Sequence, residues 1–261
     1  MLPPSVAKEY AIAMFGDDAA DWLLDRLIDG HAVVLGDDLV GFYVFGSLVV
    51  GDFDATTSDV DTVVVLRDDL TSEQVDGLRE LHTAIVRERP EWSDRVEAVY
   101  VSVDAMANFR EGRHPAARIS PGESFHTIEV DDRWLIDWYQ LREVGETLTG
   151  PPPASVVPAI SKSEWIDAVR RHVLDWPEPG PDLDRGRLAY GVLTLCRGLR
   201  TWEVGDHVSK RAAAQWAAER LPHHADVIGK ALEWRTSPAQ PIGGPVLDDA
   251  RRFVAEAQRA L

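Results

Sequence analysis

Residues 45–66 read FGSLVVGDFDATTSDVDTVVVL, and the fold turns on how this stretch is divided. The apolar run Leu39 to Gly46, LVGFYVFG, is rich in β-branched and aromatic residues and predicts a buried strand that ends at Gly46 and Ser47. Val60 to Leu66, VDTVVVL, predicts a second strand. Gly51, Asp52, Asp54, Thr56 and Thr57 punctuate the connection as a turn or short loop. Side chains alternate along a strand, so Asp59 and Asp61 face the same side. Two like charges held that close are costly without a cation, and a bound divalent ion reverses the penalty. Oxygen-only ligands suit Mg²⁺, which binds through one or two carboxylates plus substrate phosphates. Gly46 allows close backbone approach, and Ser47 offers a hydroxyl and an N–H to a phosphate.

Outward from this unit, Trp22, Leu23, Leu24, Leu27 and Ile28 lie close to a helical stripe. Thr71 and Gln74 form a capping-box pattern ahead of Val75, Leu78, Leu81 and Ile85 at helical intervals, which predicts a helix after the second strand. In RVEAVYVSV, alternation sends Val96, Ala98 and Tyr100 to one face and Glu97, Val99 and Val101 to the other. Glu97 is then a third carboxylate on an otherwise apolar strand face. Taken singly, a Gly-Ser after a strand is a turn and an Asp-x-Asp a solvated strand edge. Asp59, Asp61 and Glu97 together interrupt two buried strands, and that conjunction predicts a shared metal site.

The run GPPPASVVP, Gly150 to Pro158, holds four prolines and is expected to separate a first domain, residues 1–150, from a second, residues 151–261. Beyond it the strand signal vanishes. Ser161 and Glu164 have capping-box spacing before WIDAVRRHVL, and Leu188, Val192, Leu195 and Leu199 make a helical stripe. Ser209 can cap KRAAAQWAAERL, which stops at Pro222, and two further helical patterns end near Trp234 and at Leu261.

The 261 residues carry 27 Lys plus Arg against 44 Asp plus Glu, a formal charge of −17. At 45% hydrophobic and 27% charged the composition is that of a globular chain, not a disordered one. Cys196 is the single cysteine and cannot form an internal disulfide, and the first 20 residues lack a basic n-region followed by an apolar core. No apolar stretch approaches the ~20 residues of a membrane span. A soluble, cytoplasmic protein is the expectation. The charge, without any dense Lys/Arg run, disfavours a nucleic-acid reader and favours a cationic partner. The eight histidines show no metal-ligand spacing, and His223-His224 after Pro222 reads as a helix start.

Gly-Ser, eleven residues, Asp-x-Asp at the head of a β-branched strand and a later strand carboxylate together resemble the nucleotidyltransferase superfamily of DNA polymerase β. LTLCRGLRTWEVGDHVSKRAAAQWAAERLP, Leu193 to Pro222, resembles the aminoglycoside adenylyltransferases that modify streptomycin and spectinomycin. The resemblance implies an α+β fold, with an N-terminal mixed β-sheet flanked by helices and a C-terminal α-helical bundle. It also implies a monomeric resistance enzyme that transfers AMP from ATP to a drug hydroxyl, releasing pyrophosphate, in a cleft between its two domains.

By matched position, Gly46, Ser47 and Ser58 would meet the nucleotide phosphates. Asp59 and Asp61, with Glu97, would hold two Mg²⁺ ions, and Glu97 would act as general base. Arg197 and Lys210 match the family's cationic contacts to ATP. Lys210 in a helix's first turn is disfavoured by the dipole, which calls for a compensating anion. DWPEPGPDLD, Asp175 to Asp184, offers Trp176, Asp182 and Asp184 to a cationic drug, with a solvated loop as the plain alternative. Trp234 is either near the nucleotide or in the core, and Cys196 is expected as a packed core thiol. Residues 110–138 receive no assignment. Two rivals stand: the same chemistry on a protein hydroxyl or another small molecule, and a non-catalytic nucleotide-binding module.

Overall fold

The computed structural model describes residues 15–235 and 240–261, so the expectation about the first 20 residues lies mostly outside the described ones. The chain divides into two compact units, Met1–Ala159 and Ile160–Leu261.

The first unit holds strands β1 (Leu39–Phe45), β2 (Val60–Leu66), β3 (Val96–Ser102), β4 (His114–Ser120), β5 (Glu123–Val130) and β6 (Glu146–Thr149). They form one sheet in the order β5-β4-β3-β2-β1-β6. Only β2 and β3 run parallel; every other neighbouring pair is antiparallel, which makes the sheet mixed. Its helices are α1 (Asp18–Leu35), α2 (Ser47–Val50), α3 (Ser72–Glu88), α4 (Val103–Asn108), α5 (Leu135–Val144) and α6 (Pro153–Val156). The Thr71 capping box is complete: Thr71 Oγ1 accepts the Gln74 N–H and Gln74 Oε1 accepts the Thr71 N–H.

Alternation decides which face each strand residue serves. Val60, Val64 and Leu66 of β2 and Val96, Ala98 and Tyr100 of β3 enter one core with Leu23 and Leu27 of α1 and Leu78, Leu81 and Ile85 of α3. Asp61 and Glu97 therefore belong to the opposite face, with the buried Val63, Val65, Val99 and Val101. Beneath α1 and α3, Tyr100 Oη lies 2.9 Å from His31 Nε2 and 2.7 Å from His82 Nε2. A phenol has one proton to give, so one imidazole accepts from Tyr100 and the other donates to it. Burial depresses His31 to about 3 and His82 to about 4, so both are neutral in the fold.

Residues 150–158 pack on the first unit. Tyr43 donates to the Pro151 carbonyl at 2.9 Å and Arg142 to that of Ala154 at 2.8 Å. Pro153 opens the one-turn helix α6, because a residue at the first helical position has no intrahelical N–H bond to lose.

The second unit is helical throughout its regular structure: α7 (Lys162–Leu174), α8 (Arg185–Val204), α9 (Lys210–Arg220), α10 (Ala225–Trp234) and α11 (Gly244–Arg259). Ser161 and Ser209 cap α7 and α9 by accepting the Glu164 and Ala212 N–H groups. α8 packs against all four others, and its stripe Leu188, Val192, Leu195 and Leu199 is buried. The α+β fold with a helical C-terminal region is thus the one expected. No described helix is long and apolar enough to cross a membrane.

Candidate active site

The carboxylate site forms where β2 and β3 meet the turn after β1. Parallel register pairs Asp61 with Glu97, while Phe45, one residue before Gly46, pairs with Asp61 from the other side. Asp59, Asp61 and Glu97 each bring a carboxylate oxygen within 4.8 Å of the other two, and all three are half-buried. Strand register thus joins Asp61 to Glu97, and Asp59 meets them from the loop just ahead of β2.

Gly46 has φ +72°, and a Cβ there would sit 1.9 Å from Asp61 Oδ2. Only glycine both adopts that backbone and leaves room for the carboxylate. The chain then turns directly into α2, one helical turn where a loop was expected, so that Ser47 occupies its first position. Ser47 Oγ is buried with no hydrogen-bond partner among the described residues. A buried hydroxyl without a partner is costly, and a phosphate or a metal-bound ligand would satisfy it.

The loop leading to Asp59 is tied down at several points. Asp54 Oδ1 accepts the N–H groups of Thr56 and Thr57 and the Thr56 hydroxyl. Ser58 Oγ accepts the Asp54 N–H at 2.9 Å, and the Ser58 carbonyl accepts from Arg95 Nε and Nη2 at 2.9 and 2.7 Å. Ser58 thus closes the loop in this structure, with its side chain buried.

Burial pushes the Glu97 carboxyl up to about 7; Asp137 and Asp59 push the same way, and Arg118 opposes them. Arg118 Nη2 donates to Glu97 Oε1 at 3.2 Å, with its guanidinium 5.6 Å from the Trp134 ring centroid. Arg118 on β4, Asp137 on α5 and Trp134 all lie in the segment left unassigned from sequence. Arg118 carries the signal that exposed Glu97: a charge inside a strand, HPAARIS, whose Ala116 and Ala117 are buried.

The cluster fits a divalent ion. Three hard oxygen donors converge, one of them disfavoured as an anion by burial, and an unsatisfied hydroxyl lies on the adjoining turn.

In the helical unit, Arg197 is half-buried on α8 and makes no hydrogen bond or ion pair among the described residues. Lys210 opens α9 with its Nζ 5.1 Å from the Tyr190 ring centroid. Trp176 packs against Tyr190 and His172, with ring centroids 6.0 and 5.3 Å away. Asp184 is the N-cap of α8, accepting the Arg187 N–H at 2.8 Å, while Asp182 is exposed. Trp234 is buried in the helical core. Cys196 is fully buried, and burial raises its thiol to about 12.

Residues 35–114 match the nucleotidyltransferase domain model and residues 155–258 the model "Aminoglycoside adenylyltransferase, C-terminal domain". Spectinomycin 9-adenylyltransferases of Staphylococcus aureus are 26% identical over 206 residues, covering 72% of this chain and 74% of theirs. A crystal structure of spectinomycin adenyltransferase from Enterococcus faecialis, with ATP and spectinomycin, superposes with a TM-score of 0.69. It covers 91% of this chain and 97% of its own at 19% identity, a likeness of fold. The nucleotidyltransferase domain and the adenylyltransferase relatives support an ATP-dependent adenylyltransferase. The chain carries the C-terminal domain of the aminoglycoside adenylyltransferases behind a nucleotidyltransferase domain.

Proposed function

We propose that this protein transfers AMP from ATP to a hydroxyl of streptomycin, spectinomycin or both, releasing pyrophosphate and so conferring resistance. The observation that carries this reading is the convergence of Asp59, Asp61 and Glu97 beside the Gly46-Ser47 turn. The acceptor comes from the family's name and from the relatives, which are spectinomycin enzymes.

Asp59, Asp61 and Glu97 would hold Mg²⁺, two ions in the family's pattern, and metal bound there supplies charge neutralisation to the phosphates. Ser47 presents its Oγ and the start of α2 to phosphate oxygens, with Gly46 keeping the backbone clear. Glu97 takes the proton of the attacking hydroxyl as that oxygen bonds the α-phosphorus and the bond to the β-phosphate oxygen breaks. Burial raises the Glu97 carboxyl in the metal-free fold, and a more basic carboxylate is the better proton acceptor. Arg118 holds the Glu97 carboxylate in place and favours its ionised form. Arg197 and Lys210 supply positive charge to an anionic nucleotide, which a chain of charge −17 otherwise repels. Trp176, Asp182 and Asp184 are the candidates for the drug, Asp184 with one carboxylate oxygen engaged by its cap.

Incubation with labelled ATP and Mg²⁺, against a panel of aminoglycosides and of proteins, tests the acceptor. Label on streptomycin or spectinomycin is expected. Label on proteins alone would transfer the same chemistry to a different substrate, and label on neither would remove the catalytic reading.

A further inference from the structure

The helical unit holds a second convergence of ligating side chains, far in sequence from the first. His223 and His224 lie in the 3₁₀ turn Pro222–His224 that joins α9 to α10, and Glu256 projects from α11. His223 Nε2 is 2.9 and 3.1 Å from the two Glu256 carboxylate oxygens, and His224 Nε2 is 3.0 Å from Oε2. One ligand atom from each residue lies within 4.8 Å of the other two. The His224 ring is 6% exposed and packs edge-on against Phe253 at 5.4 Å, which fixes its direction. The His223 ring lies on the solvent side, 4.3 Å from that of His224.

Two imidazoles and a carboxylate suit a borderline transition ion better than Mg²⁺ or Ca²⁺, which prefer all-oxygen shells. Tetrahedral Zn²⁺ with bonds of about 2.0–2.1 Å needs neighbouring donors roughly 3.3 Å apart. The His–Glu separations are already within a few tenths of an ångström of that. An ion would take the Nε2 lone pairs, each imidazole carrying its proton on Nδ1 instead, and the solvent side would admit a water as fourth ligand.

We propose that His223, His224 and Glu256 form a Zn²⁺ site that ties α11 to the turn between α9 and α10. This site is independent of the proposed transfer chemistry. The test is calorimetric titration of metal-free full-length protein with ZnCl₂. Asp59→Asn and Asp61→Asn are introduced together as the background, so that the first carboxylate cluster does not compete.

One Zn²⁺ per chain is expected to bind, to be indifferent to excess Mg²⁺ and to raise the melting temperature. Co²⁺ in its place should give the visible absorption of a tetrahedral complex. The half-exposed positions are varied, His223→Asn and Glu256→Gln, each checked for native circular dichroism. Each is expected to weaken binding about tenfold or more and to abolish the thermal shift. Absence of Zn²⁺ binding in the background protein, or an affinity unchanged from it in both variants, would overturn the proposal.

Discussion

Replacing Gly46 with alanine sets a methyl carbon 1.9 Å from Asp61 Oδ2, when real Cβ atoms essentially never come within 3.0 Å of a neighbour. The Asp61 carboxylate must retreat by at least about 1 Å, and a displacement of that size in a reacting constellation costs on the order of 100-fold in rate. The same substitution also forces a side chain to φ +72°, worth roughly 1–2 kcal/mol. Gly51 supplies the control. It has φ +75° and ψ 24°, the milder left-handed region, with nothing within 4 Å of its virtual Cβ, so Gly51→Ala carries a positive-φ strain without the collision. Urea unfolding should give Gly51→Ala a loss of about 1–2 kcal/mol from strain and Gly46→Ala a larger one, from a glycine-only backbone and the collision together. Continuous assay of pyrophosphate release should find Gly51→Ala near wild type and Gly46→Ala down about 100-fold, mostly in kcat. Equal activity in the two variants would refute the coupling of the Gly-Ser turn to Asp61.

Glu97→Gln should retain ATP binding and lose AMP transfer; turnover at the wild-type rate would exclude Glu97 as the base. Its stability has a definite sign in metal-free buffer. The Glu97 carboxyl rises from 4.5 to about 7 on folding, so its contribution is present below pH 4.5 and lost as pH rises through 7. From pH 5 to 8 the wild type should therefore lose up to about 3 kcal/mol relative to Glu97→Gln, read by urea unfolding. In that variant His31 and His82 contribute to the acid limb. Their values fall from 6.5 to about 3 and about 4, so stability falls as pH drops below 6.5, by up to about 2.7 kcal/mol per pH unit, and a flat profile contradicts their neutral burial. Arg118→Met removes the group that favours Glu97 ionisation, so the acidic limb of the rate profile should move to higher pH; an unmoved limb would detach Arg118 from Glu97. Lys210→Ala should raise the KM for ATP about tenfold with native circular dichroism, the cost of one charged contact; unchanged KM excludes that contact.

The strand, turn and strand of residues 39–66 were legible because buried strands tolerate few charges, which made Asp59, Asp61 and Glu97 conspicuous. The caps Thr71, Ser161 and Ser209 were legible for a similarly local reason: each helix start needs an acceptor for its free N–H groups. The hairpin β4–β5 was not. β5 is an edge strand with exposed Glu123, Ser124, Thr127 and Glu129, so its sequence, ESFHTIEV, lacks an apolar run. With it went Arg118, which reaches Glu97 only through strand pairing. α2 is a single turn, too short for periodicity to register. Asp184 caps α8 through one carboxylate oxygen, a role that an Asp ahead of a helix offers in sequence beside that of a drug contact. His223 and His224 meet Glu256 across sequence separations of 33 and 32, beyond any local pattern.

The central claim is that the Asp59, Asp61 and Glu97 cluster drives AMP transfer to an aminoglycoside. Mass spectrometry of spectinomycin and streptomycin, after incubation with Mg²⁺ and ATP and either wild type or Glu97→Gln, tests it most directly. The account predicts the mass gain of one AMP ester on at least one drug with the wild type, and unmodified drug with the variant. Unmodified drug with the wild type, or the same gain with both proteins, would contradict it.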